Sequence, residues 1–384
     1  MSSFAFNTAA SIVFGPGSAL KLHDQCTELG MVHPLVVTDP GLIAIGLIQP
    51  VVTALIESGL TPALFDQVRE DPPEAIVLEA AQLGRDKQID GVIAVGGGSS
   101  MDVAKVVAVL LAGDQQLPRL YGVDQVAGAR LPLILVPTTA GTGSEVTPVA
   151  VITTGETTKA GVSSAMLLPD VAVLDPDLTM GLPPAITAMT GVDAMVHAIE
   201  AYTSRHKKNP LSDNLARQAL QLLSRSIRTA VHDGGNREAR GNMLLGALLA
   251  GQAFANAPVA AIHALAYPLG GHYHIPHGLS NSLVLPSVLE FNAPKACDLY
   301  AELAEIVIGE PVPGSAMAKT EALIGGLRQL ISDVELPATL QQAKVAERDL
   351  EMLARDAMLQ QRLLVNNPRD VAYEDALSIY RAAY

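Results

Sequence analysis

The sequence predicts two architectures in series: an α/β domain over residues 1–181, built on a mostly parallel doubly wound sheet, and an all-helical domain over residues 182–384. Three observations carry this. Short apolar strand signals alternate with helical ones as far as LDPDLTMGLPPA and then stop. From residue 184 to 384 nearly every segment has helical periodicity, which sets a boundary near Gly181. At 384 residues and roughly 150 per domain, two domains are expected, and an apolar content of 49% supplies both cores.

Taken in order, SIVFGPGSALKL reads as a strand, a glycine turn and a helix start. Gly15 and Gly17 open a dinucleotide-type fingerprint, but Leu20 stands where its third glycine belongs. HPLVVTDPG is a short strand ending at Asp39. A carboxylate there can accept hydrogen bonds from a ribose diol and repel a 2′-phosphate, favouring NAD over NADP; it can equally be a turn residue before Pro40. Residues 50–59 read as helix, LTPALFDQV as strand and EDPPEA as a proline-delimited helix start. IDGVIAVGGGSSMDVAKVVAVLLAG then predicts a buried strand over 92–95, a triple glycine and an amphipathic helix. Gly96, Gly97 and Gly98 let the backbone approach a ligand, and the new helix offers unpaired amides and a positive dipole end, which suits a pyrophosphate. A plain strand-to-helix turn does not require three glycines. A further buried strand over 133–136 leads into a loop whose Thr138, Thr139, Thr142 and Ser144 either line a nucleotide cleft or satisfy their own backbone.

In the second half, TGVDAMVHAIEAY places Asp193 and His197 four residues apart, on one helix face. Four of the nine histidines, His263, His272, His274 and His277, crowd into HALAYPLGGHYHIPHG. Any one of them reads as an ordinary core or surface histidine. The cluster together with Asp193 and His197 suits a borderline divalent cation, zinc or iron(II), with a position left for a substrate oxygen. The uncharged run over 243–271 is long enough to suggest a membrane span, but Gln252, Asn256, Pro258, His263 and several glycines interrupt it, so a buried helix of a soluble domain is expected. A net charge of −14 argues against nucleic acid. Cys26 and Cys297 lie far apart without a paired motif, which fits a reducing cytoplasm, and MSSFAFNTAASIVF lacks the marks of a secretion leader.

These motifs, in this order, resemble the iron-containing (group III) alcohol dehydrogenases. The resemblance covers almost the whole chain: FGPGS, Asp39, GGGSSMDVAK, PTTAGTGSEVT, LPPAITAMTGVDAMVHAIEAY, the segment ending PHG, and NPR at Asn367–Arg369. It implies a dehydroquinate synthase-like architecture, with a nucleotide on the first domain and a metal on the second, facing across a cleft. Carried over by position, the implied metal ligands are Asp193, His197, His263 and His277, holding Fe2+ or Zn2+. The implied NAD or NADP contacts are Asp39, Asp71, Gly97, Gly98, Ser99, Asp102, Thr138, Thr139, Thr142, Ser144 and Lys159. Asp71 stands where relatives often have Asn before Pro. The implied reaction moves a hydride between a primary alcohol or diol and the nicotinamide, the metal lowering the pKa of the alcohol oxygen. A homo-oligomer, often a dimer, is expected, with small alcohols or aldehydes as partners and no nucleic acid or membrane.

One departure stands out. Four residues after His263, where relatives commonly carry a second histidine, this chain has Tyr267, a poor proton acceptor near neutrality given its ordinary pKa of about 10. His274 is a candidate stand-in, so Tyr267 and His274 are the expected catalytic pair. Maleylacetate reductases, a subgroup regarded as needing no metal, are disfavoured because all four ligands are kept. A dehydroquinate-synthase-like lyase would need basic residues gripping a phosphorylated substrate, for which AYTSRHKKN is the candidate stretch.

Overall fold

The structure, a computed structural model, describes residues 3–155 and 158–384, so the first two residues of the N-terminal stretch read above lie outside the described residues. Two compact units are present: one comprises Asn7–Thr139 and Gly143–Met180, the other residues 3–6, Ala140–Thr142 and Gly181–Tyr384. The division differs from a single cut near Gly181 because residues 3–6 and the three-residue segment Ala140–Thr142 pack with the helices. A Cβ on Gly141 would lie 2.7 Å from Thr190 Cβ and 3.0 Å from its carbonyl oxygen, so only glycine allows this approach.

The sheet-bearing unit runs β1 (Ser11–Phe14), α1 (Leu22–Glu28), β2 (Pro34–Val37), α2 (Pro40–Ala44), α3 (Gln49–Glu57), β3 (Ala63–Phe65), α4 (Glu74–Asp86), β4 (Gly91–Gly96), α5 (Gly98–Ala112), β5 (Gly122–Val123), β6 (Leu133–Pro137), β7 (Val149–Thr154), β8 (Thr158–Ser163) and β9 (Val171–Leu174). Six of these strands form one sheet, ordered β1-β9-β6-β4-β2-β3, and all its pairings are parallel. Every residue of β2, β4, β6 and β9 is buried, as expected where helices cover both faces and strands read as unbroken apolar runs. Alternate side chains serve opposite faces: Leu35, Val37, Val92, Ala94, Leu133 and Leu135 join the core beneath α4 and α5, while Val36, Ile93, Val95, Ile134, Val136 and Val173 join the one beneath α1 and α3.

Two sequence expectations change here. The helix after the triple glycine, α5, is not amphipathic: ten of its residues between Ser100 and Leu110 are buried, because β4, α4 and β7 all pack against it. The hydroxyl-rich loop leads into a second, three-stranded sheet ordered β5-β8-β7, whose β7–β8 pair is antiparallel.

The helical unit comprises α6 (Pro184–Thr203), α7 (Pro210–His232), α8 (Arg237–Asn256), α9 (Ala261–Tyr273), α10 (His277–Ile308), α11 (Ala316–Asp333), α12 (Leu350–Ala357), α13 (Gln361–Leu364) and α14 (Tyr373–Ala382). Helix α6 is its axis: every residue of 191–203 is buried, and α7, α8 and α10 pack around it. The uncharged run over 243–271 is not one helix. It breaks between Asn256 and Ala261, with α8 and α9 meeting at 107°. Among the described residues no single helix is long and apolar enough to cross a membrane; that bent pair passes by length and composition only. The NPR motif ties the C-terminal segment to α10: Asn292 and Asn367 exchange side-chain amide hydrogen bonds of 3.0 and 2.7 Å, and Arg369 donates to the Phe291 carbonyl.

Candidate active site and metal centre

In the sheet-bearing unit, the chain leaves β2 for a helix on one side and β4 for a helix on the other. The strand order therefore reverses between them, and the carboxyl ends of such a pair flank the usual ligand crevice of open α/β sheets. Asp39 and the triple glycine occupy these two ends. Asp39 caps α2 by accepting from Leu42 N through Oδ1 at 3.0 Å, so it is a turn residue; its Oδ2 lies 3.8 Å from where a Gly96 Cβ would stand. Gly96 is glycine for packing, since a Cβ would meet Ser100 at 2.6 Å. Gly97, the N-cap of α5, has an ordinary φ of −76°, and its Cβ would meet nothing closer than Thr139 at 3.8 Å. Neither backbone strain nor crowding demands a glycine there. Gly97, Gly98 and Ser99 are half-exposed, and no acidic residue occupies the helix's first turn.

The other expected nucleotide residues are placed as follows. Thr138 is buried and donates its backbone N–H to the Gly96 carbonyl, and Thr139 is half-buried beside Gly97. Asp102 accepts from Ser144 Oγ at 2.7 Å and from Val151 N at 2.9 Å. Lys105, fully buried, donates to Ser144 Oγ, Thr147 Oγ1 and the Val149 carbonyl, with Asp102 Oδ1 3.7 Å away. Burial drives the Asp102 carboxyl up and Lys105 down to about 8, and it pushes the nearby buried Glu145 up to about 7. Lys105 and Glu145 were not singled out from sequence, although both sit inside quoted motifs. Asp71 and Lys159 pair at 2.6 Å on the surface, Asp71 in the left-handed region at φ 51°. Thr142 belongs to the other unit. The glycine turn after β1 is not a phosphate loop: Gly17 N and Ala19 N both donate to the Asp175 carboxylate.

In the helical unit, α6 carries Asp193 and His197 one turn apart, α9 carries His263 and α10 begins at His277. One potential ligand atom from each of the four lies within 4.8 Å of the others, and all but half-buried His277 are buried. The PHG motif explains this convergence. A Cβ on Gly278 would lie 2.3 Å from the Met189 carbonyl oxygen and 3.3 Å from Asp193 Cβ, so glycine alone lets the start of α10 reach α6. His197 stacks between Phe254 and His263, at centroid distances of 4.2 and 4.8 Å. Burial pushes its pKa down to about 3, Asp193 opposing and the other imidazoles adding, so its ring is neutral at physiological pH. Asp193 is held below the usual carboxylate range: burial would raise it, but the three imidazoles and the Asn281 amide outweigh that.

Two further residues complete the group, and spacing alone could have found both. Asn281, one turn after His277, points its amide nitrogen at Asp193 Oδ1 (2.6 Å), His263 Nε2 (3.3 Å) and His277 Nε2 (3.4 Å). A single donor group thus meets three acceptors, as a cation would. Glu200, on the Asp193–His197 face of α6, accepts from Ile262 N and faces His263 Nδ1 at 2.6 Å. One carboxylate and three imidazoles fit a divalent ion of the zinc or iron(II) type.

Tyr267 is half-buried with its ring centroid 5.9 Å from that of His277. His274 is the C-cap of α9, exposed, at φ 52°, and lies outside the four-residue group. His272 pairs with Asp356 at 2.5 Å on the surface. In the basic stretch AYTSRHKKN, Arg205 pairs with Asp370, and Lys208 pairs with Asp213 and covers the Tyr202 ring.

A parallel α/β unit with a half-exposed glycine-start helix, and a helical unit whose donor set is one aspartate and three histidines, make a candidate nucleotide-binding unit and a candidate metal centre. Comparison with known proteins assigns the chain further. Residues 9–176 match the model of iron-containing alcohol dehydrogenases, and residues 187–384 match the C-terminal model of the Fe-containing alcohol dehydrogenase family. Long-chain-alcohol dehydrogenase 1 of Geobacillus thermodenitrificans is 41% identical, covering 98% of this chain and 97% of its own. The 1,3-propanediol dehydrogenase of Klebsiella pneumoniae is 37% identical over 97% and 96%. A crystal structure of 1,3-propanediol oxidoreductase superposes with a TM-score of 0.96 at 36% identity, covering all of both chains. The chain belongs to the iron-containing alcohol dehydrogenase family, and the lyase reading is not favoured.

Proposed function

We propose that the protein is a metal-dependent alcohol dehydrogenase and aldehyde reductase that couples NAD(H) to a primary alcohol or diol. The convergence of Asp193, His197, His263 and His277 is the observation that carries the reading. Those four would hold Fe2+, with Zn2+ as the alternative occupant. When bound, such a metal supplies Lewis acidity toward an alcohol or carbonyl oxygen, and the nicotinamide accepts or returns the hydride.

The chain's own residues do the rest. Asp193 contributes the one negative charge, and burial keeps His197 neutral so that its lone pair stays available. Phe254, stacked on His197, lines the donor set with an apolar wall. Tyr267, beside His277, is the group that would hydrogen-bond substrate through its hydroxyl oxygen, with His274 the other candidate to hold a proton. For the nucleotide, the amides at Gly97, Gly98 and Ser99 would receive the pyrophosphate and Asp39 would meet the ribose, favouring NAD over NADP. The Lys105–Ser144–Asp102 network holds the turn at Ser144–Val146 against α5. Asp71, Lys159 and Thr142 are proposed as further nucleotide contacts. The long-chain and propanediol relatives support alcohols and diols as the substrate class. A cytoplasmic homo-oligomer, such as a dimer, completes the proposal.

Initial rates with NAD+ and with NADP+ over alcohols, diols and the matching aldehydes test it. The expected result is reduced-nicotinamide formation with NAD+ preferred. No turnover with any alcohol or aldehyde would refute it.

A further inference from the structure

We infer that Glu200 is a positioning residue of the metal centre: it holds the His263 ring in the tautomer that leaves Nε2 free to bind the cation. The inference rests on the metal reading above. Glu200 and His263 are both buried, at 3% exposure each, and contribute no surface ion pair. The Glu200 carboxyl is gripped at both oxygens. Oε1 accepts from Ile262 N at 2.7 Å, in the first turn of α9, and Oε2 stands 2.6 Å from His263 Nδ1. A carboxylate only accepts, so the proton between them belongs to Nδ1. With that proton on Nδ1, Nε2 is the ring nitrogen available to accept or to bind a cation.

An independent contact agrees. Asn281 presents an N–H2 group, a donor only, to that same Nε2 at 3.3 Å while donating to Asp193 Oδ1 at 2.6 Å. Both neighbours of the ring thus require the same tautomer. Because Glu200 shares a helix face with Asp193 and His197, one rigid element carries two of the ligands and the orienter of a third. Outer groups of this kind fix ring orientation and typically change metal affinity about 10–100-fold when lost.

The test uses the full-length, metal-depleted protein, with zinc binding read by competition against a chelating dye and the His263 ring nitrogens read by 15N NMR. Glu200→Gln keeps an oxygen for Ile262 N but turns an amide N–H2 toward Nδ1, so a role confined to capping α9 would survive it. The expected result is a Kd for zinc raised about 10–100-fold, with the ring proton moved to Nε2 and little change in melting temperature. Glu200→Asp, which retains an acceptor, should bind more tightly than Glu200→Gln. An unchanged Kd in Glu200→Gln, or a wild-type His263 already protonated at Nε2, would overturn the inference. Wild-type protein that takes up no zinc, or an Asp193→Asn variant that binds as well as wild type, would instead overturn the metal reading.

Discussion

Replacing Gly278 by alanine tests how the histidine segment is joined to α6. The added Cβ would stand 2.3 Å from the Met189 carbonyl oxygen, where ordinary contacts begin near 3.4 Å, so α10 must retreat by roughly 1 Å. The obstacle is backbone, and no rotamer change relieves it. Overpacking of this kind costs about 1–3 kcal/mol, which for a domain of this size lowers Tm by about 2–12 °C. The site should suffer more than the fold. His277 precedes the substituted position and Asn281 follows it within the same turn, so both move relative to Asp193, and functional constellations tolerate only about 0.5 Å. Zinc or iron(II) affinity should therefore fall more than tenfold in protein that still melts cooperatively. Calorimetry and metal titration on one preparation measure both. Unchanged affinity at a lowered Tm would show that the close approach serves packing alone, and no change in either would mean that the methyl is accommodated without moving α10.

Three further outcomes follow from separate parts of the molecule. Gly97→Ser puts a good N-cap residue at the start of α5, so Tm should stay within a few degrees while the side chain intrudes on the loop; NAD binding should weaken at least tenfold, and retained affinity would remove the phosphate-loop assignment. Burial raises the folded-state pKa of Glu145 from 4.5 to about 7, so its contribution to stability is present below about 4.5 and is lost as pH rises through 7. Glu145→Gln should therefore gain in Tm relative to wild type across that window, and a difference independent of pH would contradict the assignment. Tyr267→His should introduce a new ionisation into the pH–rate profile near neutrality, and His274→Ala should alter the profile if it carries a proton; unchanged profiles in both would exclude the pair.

Much of this was legible in the sequence because the informative features are local. The central strands are continuous apolar runs, and Asp193 and His197 lie one turn apart on one helix. What the sequence concealed is non-local. The burial of α5 on almost every face depends on β7, a strand that the sequence reading did not single out after the hydroxyl-rich loop. The break between α8 and α9 is an angle, and composition does not encode it. The segment Ala140–Thr142 joins the helices because Gly141 meets Thr190, a contact between distant positions. Choosing His263 and His277 over His272 and His274 required the family resemblance, since four histidines in one segment are equivalent by spacing. Their structural surroundings now separate them: two converge on Asp193, one pairs with Asp356, and one caps α9. Glu200 and Asn281 followed the same helical spacing as the ligands, and reading each helix face one turn further would have revealed them.

On the proposed function, Asp193, His197, His263 and His277 hold the metal on which turnover depends. Elemental analysis of purified protein, paired with NAD+ reduction over an alcohol panel before and after chelation, tests it most directly. The expected result is iron or zinc in the protein, activity lost on chelation and restored by re-adding one metal, and no restoration in Asp193→Asn. Full activity in metal-free protein would contradict it.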